Sequence, residues 1–338
     1  ANIVRRAIGF VAYSLVAGVQ CLRVGGLGRR AEAVIAMSPP LTLGLTGWVA
    51  SRVRRAPLIF NIQDVFPDAA VETGAITNRH VIAAASWLER VSYRAADAVT
   101  VLSEDLRDNV AAKMPASAVD RVHVIPNFVD TDAIRPMDRD TAYRRELGLG
   151  DGPVVLYAGN VGFSQSLDLV VAAARALPSA VFLVNGDGAA RPSVEESALD
   201  IANLHVAGYV EPERLGELLA TGDVHVVPLR AGLGRVSVPS KTYSIMAAAR
   251  PVVAAIDPGT AVPLILQASG GGVAVPPDDV ESFVAAVRRL VENPAERVAM
   301  GTRGREWVER EASPTAVGDA YHELVQGLAT RRPERPSR

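Results

Sequence analysis

Short runs of β-branched and aliphatic residues alternate with stretches of helical periodicity along almost the whole chain, and each run ends in a polar or glycine-containing turn. In the first half the runs are "AEAVIAM", "PLIFNI", "DAVTVLS" and "VHVIP". In the second they are "PVVLYAG", "AVFLVNG", "LHVAGYV", "DVHVVPLR", "PVVAAID" and "GGVAVPP". Strands that alternate with helices at this spacing make parallel sheets, so the fold class is α/β. Between the halves, "TDAIRPMDRDTAYRRELGLGDG" is charged and carries proline and glycine, which marks a linker with a short helix. The expected division is 1–137, 138–310 and 311–338, the last holding a terminal helix and a basic, proline-rich tail that solvent should surround.

With 338 residues, 49% of them hydrophobic, the chain can bury two cores. Its net charge of -2 gives no electrostatic case for nucleic acid. Cys21 is the single cysteine, which leaves no disulfide framework and no thiolate zinc site. The histidines are dispersed, with no pair at metal-ligand spacing, so no metal is expected. "DTD" (130–132) and "DRD" (138–140) lie in the linker without a strand before them, and they carry no metal assignment either.

The chain opens on Ala1, and "RRAIGFVAYSLVAGVQCLR" places sixteen uncharged residues between Arg6 and Arg23. That is short for a membrane span, which needs about 20 apolar residues. The flanks have some features of a signal peptide but no clean cleavage site. The reading adopted is a helix packed on a domain or lying on a membrane surface. A doubly wound domain usually begins with a strand and a glycine-rich turn. This first half begins on a helix, so a strand–helix–strand unit is expected to be absent, as in a fragment or a truncated form.

Three segments of the second half have the chemistry of an anion site. "LYAGNVGFSQSL" is a strand, the turn Gly159-Asn160-Val161-Gly162 and a helix, with Gln165 close by; such a turn admits a ligand to the backbone and to free helix N–H groups. Glycines there also serve turn geometry alone, and the G-x-G-x-x-G fingerprint is not met. "VNGDG" puts Gly186, Asp187 and Gly188 at a neighbouring strand end, as a binding loop or a plain turn. "VPSK" places Pro239 at an expected first helical position, then Ser240 and Lys241. A lysine is disfavoured at the positive end of a helix, which suits a bound anion, though a solvated surface lysine is the simpler alternative. In the first half, "NIQDVFPD" sets Gln63, Asp64 and Asp68 at a strand end, where Asp64 serves either a cleft or the cap of a turn.

Taken together, "SPPLTLGLTGWV", "FNIQDVFPDAAVETG", "LERVSYRAADAVTVLSE", "VIPNFVD", "LYAGNVGFSQSLD", "VNGDG", "VPSKTYSIMAAARPVVA" and "GGGVAVPPDD" resemble, in order, the family 4 glycosyltransferases of the GT-B fold. The nearer resemblance is to the branch that builds bacterial surface polysaccharides, the fucosamine and colanic-acid type. It runs from about residue 34 to 309. It implies two Rossmann-like domains facing across a cleft, the first for the acceptor, the second for a nucleotide-sugar, with a last helix crossing back. It also implies metal-independent transfer with retention, a nucleotide diphosphate leaving group and no cofactor. The donor is expected to be UDP-linked, the acceptor a lipid-linked or other glycan, and the location cytoplasmic with peripheral contact on the inner membrane face.

The resemblance assigns donor binding to Gly159, Asn160, Gly162, Gln165, Gly186, Asp187, Gly188, Ser240, Lys241 and Ser244. Lys241 is the phosphate cation, and Asp64 is the expected acid–base residue. The departures are specific. The family's Glu-x7-Glu falls on Val236 and Ser244, its loop Arg and Lys on Asn160 and Gln165, a helix-end glycine on Ala249, and a histidine on Gln63. Two alternatives stay open: a nucleotide-sugar binder without catalysis, motivated by the missing Glu pair, and a GT-B sugar-nucleotide epimerase.

Overall fold

The structure, a computed structural model, describes residues 3–24, 30–72, 76–236 and 238–330. The proline-rich tail falls outside them. The chain forms two compact units. One comprises residues 1–126, 236–238 and 318–338, and the other 127–235 and 239–317.

The first unit runs α1 (Ile3–Arg23), β1 (Val34–Ser38), α2 (Leu43–Arg54), β2 (Leu58–Ile62), α3 (Asp68–Glu72), α4 (Arg79–Ala95), β3 (Ala98–Val101), α5 (Glu104–Ala112) and β4 (Val122–Val124). Its strands are all parallel, in the order β1-β2-β3-β4. β2 and β3 are buried along their whole length, which is why both read as unbroken apolar runs. Two glycines let α2 lie close to its neighbours. A β-carbon on Gly44 would stand 2.4 Å from Ser92 Oγ, and one on Gly47 2.7 Å from Ala36 Cβ. Asn78 caps α4 by accepting from the N–H groups of His80 and Val81. β4 is only three residues, shorter than "VHVIPNFVD" suggests, because Pro126 has no N–H to continue the ladder. Tyr321, in the residues that rejoin this unit, accepts from Asn61 Nδ2 at 2.7 Å and lies 3.2 Å from Thr100 Oγ1.

The second unit continues with α6 (Ala142–Glu146), β5 (Val154–Ala158), α7 (Asp168–Ala176), β6 (Val181–Asn185), α8 (Arg191–Ala198), β7 (Leu204–Ala207), α9 (Leu215–Thr221), β8 (Val224–Pro228), α10 (Lys241–Ala247), β9 (Val252–Ala255), α11 (Ala261–Ser269), β10 (Gly272–Val275), α12 (Val280–Glu292), α13 (Pro294–Glu311) and the start of α14 (Pro314–Thr330). The six strands are parallel in the order β10-β9-β8-β5-β6-β7. The core packs α7 and α12 on one face of this sheet, with Val155, Tyr157, Phe182, Val253, Phe283 and Leu290 inside it. The charged linker is tied to this unit. Arg139 and Arg144 both pair with the buried carboxylate of Asp223, which also accepts from the N–H of Val154 at 2.8 Å. The Asp-x-Asp segments of the linker cap turns: Asp130 accepts from the N–H groups of Asp132 and Ala133, and Asp138 from that of Asp140. α8 is an element that the apolar pattern does not announce, because Val194 is its one buried side chain.

Candidate functional site

In an open parallel sheet, ligands bind beyond the carboxyl ends of the strands, where the strand order reverses. In the second unit that reversal lies between β5 and β8. Gly159 follows β5 directly, and Arg230 lies two residues beyond β8.

The loops after β5 and β6 meet backbone to backbone. Gly159 N–H donates to Asn185 O at 2.9 Å, and Val161 N–H donates to Asp187 O at 2.9 Å. Gly186 has φ 152°, and a β-carbon there would stand 1.8 Å from Gly159 O. Gly188 has φ 154°, and its β-carbon would stand 2.4 Å from Val161 O. No side chain fits at either place. Asp187 is exposed, and its carboxylate accepts from the N–H of Gly188. Gln165 Oε1 accepts from Gly162 N–H at 3.0 Å, so this side chain folds the loop. Asn160 is exposed, and its carbonyl accepts from the hydroxyl of Tyr157.

Lys241 reaches this turn from the first residue of α10. Its Nζ lies 4.0 Å from the centroid of the Tyr157 ring, and a β-carbon on Gly159 would stand 3.0 Å from it. Among the described residues the ammonium has no hydrogen bond and no ion pair. Burial without a counter-ion pushes its pKa down to about 8. Lys113 in the first unit is the opposite case: its Nζ lies 2.8 Å from both Asp68 and Glu89. A lysine placed for stability has its carboxylates; Lys241 has an aromatic face and an open side.

Helix α10 begins at Lys241, with Ser240 as its N-cap, whereas the sequence suggests Pro239 as the first helical residue. The first bonds, Thr242 N–H to Pro239 O and Tyr243 N–H to Ser240 O, span three residues rather than four, a tight turn before the helix proper. The Ser240 hydroxyl makes no cap bond and is exposed; Ser244, three residues after Lys241, is half-buried. α10 has only seven residues, which limits its dipole, so the charge here resides mainly on Lys241.

Two participants escape a reading of the sequence. Tyr157 looks like one more core residue of "PVVLYAG", yet its ring lies under Lys241. Arg230, in "VVPLRAG", donates from Nε to Phe163 O at 2.9 Å and lies 3.4 Å from Asp168. It is a second, solvent-facing cation against the β5–α7 loop. A basic residue directly after a strand was the available signal. Beside it, Asp278 accepts from Ser166 Oγ and from Ala231 N–H.

Asp64 lies in the first unit, just past β2. It is half-buried, and among the described residues its carboxylate has no hydrogen bond or ion pair. Gln63 donates to Asn61 Oδ1 at 2.6 Å. Asp68 accepts from Asn109 and Lys113, so its charge is already matched. Among the described residues no group of three His, Cys, Asp or Glu side chains is placed to hold a metal ion.

Comparison with known proteins matches both halves. The model "Glycosyl transferase 4-like domain" covers residues 5–127, and "Glycosyl transferases group 1" covers 152–293. The chain is 29% identical over 247 residues to "Alpha-D-kanosaminyltransferase" of Streptomyces kanamyceticus, which is 70% of this chain and 61% of that protein. It is 26% identical over 290 residues to "Putative colanic acid biosynthesis glycosyl transferase WcaI" of Escherichia coli K12, covering 82% of this chain and 70% of that one. The chain thus spans about six- to seven-tenths of these relatives. Among solved structures it superposes on sucrose-phosphate synthase from Thermosynechococcus elongatus with a TM-score of 0.76 at 18% identity, over 96% of this chain and 79% of that one. Anabaena HepE in complex with UDP-glucose gives 0.68 at 14% identity, over 87% and 79%. Two parallel α/β units, each similar to a glycosyltransferase domain model, give the chain the GT-B fold that these solved structures share.

Proposed function

We propose that the chain transfers a sugar, with retention, from a UDP-linked donor to a lipid-linked glycan in surface-polysaccharide synthesis, working in the cytoplasm at the inner membrane face. The observation that carries the donor half is Lys241: a cation without a counter-ion among the described residues, beside a glycine turn, at the point where strand order reverses. A diphosphate supplies the missing charge, and as the sugar–phosphate bond breaks the ammonium stabilises the leaving group. The close-packed glycine loops hold the turn after β5 beside Lys241. Ser240 donates from its hydroxyl, and Ser244 takes the ribose. In this reading Asp64 assists proton transfer at the acceptor. The polysaccharide role is supported by the relative named for colanic acid biosynthesis.

The test is UDP binding by calorimetry with Lys241→Ala and Lys241→Met, followed by transfer from a labelled UDP-sugar. A lost charge-assisted contact of about 1–3 kcal/mol corresponds to roughly a ten- to hundredfold weaker Kd. Unchanged affinity overturns this placement of the diphosphate. A second reading, binding without transfer, is favoured by Ser244, which makes a weaker ribose contact than a carboxylate. Tight UDP-sugar binding without hydrolysis or transfer would select it.

A further inference from the structure

The loop that joins β5 to α7, at the carboxyl edge of the six-stranded sheet, carries an apolar ring into solvent: Phe163 is 70% exposed. Single exposed apolar residues are ordinary on a protein surface. Leu199 and Val298 are such cases, at the end of α8 and within α13. Phe163 differs in where it stands and in how its backbone is held. The carbonyl of Asn160 accepts from the Tyr157 hydroxyl, and that of Gly162 from Gln165 N–H at 3.3 Å. The carbonyl of Phe163 accepts from Arg230 Nε at 2.9 Å, and that of Ser164 from Arg230 N–H at 3.0 Å. The Ser166 hydroxyl donates to Asp278, whose other oxygen accepts from Ala231 N–H at 3.3 Å. Asp278 keeps this bridge at φ 59°, a conformation that side chains disfavour. A segment tied at so many points cannot fold over to bury the ring. Val161, two residues earlier, takes the inward place and is fully buried.

The surroundings suit a sugar. Asn160 brings its carboxamide beside Gly162, where a β-carbon would stand 2.7 Å from Nδ2, and the Arg230 side chain is 47% exposed. An apolar face with polar groups at its rim matches a pyranose, which has C–H groups on its faces and hydroxyls around its edge. The C–H hydrogens meet the negative face of the aromatic ring, and rim groups bond the hydroxyls. Position agrees with this. Four residues separate Phe163 from Gly159, at most about 14 Å of chain, a distance that a diphosphate held at Lys241 and one attached hexose can span.

We propose that Phe163 is the platform on which a pyranose ring, of the donor or of the acceptor, lays its C–H face. The proposal rests on the glycosyl-transfer reading and adds to it a specificity residue, one that favours pyranoses with a face free of axial hydroxyls. The experiment compares the full chain with Phe163→Ala, Phe163→Leu and Phe163→Tyr. Because the ring is exposed, thermal melts of all three should match the unmodified chain. Calorimetry with UDP, UDP-glucose and UDP-N-acetylglucosamine reads the donor. Saturation-transfer NMR with methyl β-glucopyranoside, with and without UDP, reads the acceptor. For a donor platform, Phe163→Ala and Phe163→Leu should bind both UDP-sugars about fivefold more weakly, with UDP affinity unchanged and Phe163→Tyr close to the unmodified chain. For an acceptor platform, UDP-sugar affinity should hold, and the glucoside signal should fall about fivefold in the same two variants. If the unmodified chain fails to bind UDP, the placement of the diphosphate is wrong, and the glucoside measurement without UDP still decides the platform. Should Phe163→Leu match the unmodified chain throughout, or no sugar respond to Phe163→Ala, the proposal is overturned.

Discussion

The two sheets obey the same pairing rules and arrive at different uses. The four-stranded sheet runs β1-β2-β3-β4 without a reversal, so its described strands contain no switch point. The six-stranded sheet reverses between β8 and β5, and the loops that leave in opposite directions open a crevice. Glycine follows the same division. Gly44 and Gly47 bring a helix close to side chains, whereas Gly186 and Gly188 bring backbone onto backbone. Two lysines complete it: Lys113 is held by two carboxylates, and Lys241 by none among the described residues. Of these two lysines, the first is paired within its unit, and the second is the one the proposed function assigns to a ligand.

The largest effect should come from the glycine contrast. In Gly186→Ala the new methyl would have to displace Gly159 O, and alanine would be forced to φ 152°. Overpacking and backbone strain together should cost roughly 3 kcal/mol or more, and UDP binding should be lost with the β5 loop. Gly44→Ala meets only the Ser92 side chain and the Phe60 ring, so about 1–2 kcal/mol is expected, with UDP affinity intact. Urea melts and calorimetry of both variants check this. If Gly44→Ala weakened UDP as much as Gly186→Ala, the division would not hold.

That contrast also marks how far the sequence can be read. The strands β2, β3, β5, β6, β8 and β9 are apolar runs between turn residues, so their existence follows from local pattern. Their order does not, since the β5–β8 pairing joins residues about seventy positions apart. The glycines after β5 and β6 stand out as residues, yet only the pairing of the two loops explains why neither tolerates a β-carbon. Tyr157 carries no local mark because its ring meets Lys241, distant in sequence, and Arg230 is marked only as a basic residue just past a strand. The helical pattern of α1 was legible; the direction of its apolar face was not, because the Ser14–Thr42 contact that sets it is a tertiary one.

The lysine contrast predicts a pH response. With its pKa near 8, Lys241 is protonated below that pH, the form that the proposed function requires for UDP binding. A bound diphosphate favours the charged form and raises the pKa. Affinity should therefore be flat below about pH 8 and fall as pH rises through it, by up to about tenfold per unit. Stability of the free protein should move the other way. The folded pKa lies below the unfolded value of about 10.4, so the unfolded chain binds more protons between the two and stability rises with pH there. Lys241→Met should abolish both trends. Calorimetry across pH and denaturant melts of the free chain read them separately. An affinity that stays level through pH 9 would give Lys241 no part in charge recognition.

The smallest effect compares the ends of two helices. α2 ends at Arg55 with φ 52°, and the turn after α10 holds Ala249 at φ 53°, both in the left-handed region that side chains disfavour. Ala249 closes the helix that carries Lys241: its N–H donates to Met246 O at 2.9 Å, and its carbonyl faces Gly301 so closely that a β-carbon there would stand 2.1 Å away. The alanine methyl has no role in these bonds, so Ala249→Gly should relieve strain and stabilise by about 1 kcal/mol. Arg55→Gly relieves the same strain but removes a long side chain from a residue that has a further partner, so its gain should be smaller or absent. Thermal melts of the two variants measure the difference. Equal gains would mean that the Arg55 side chain contributes nothing to the end of α2, and that backbone conformation alone sets the cost of both turns.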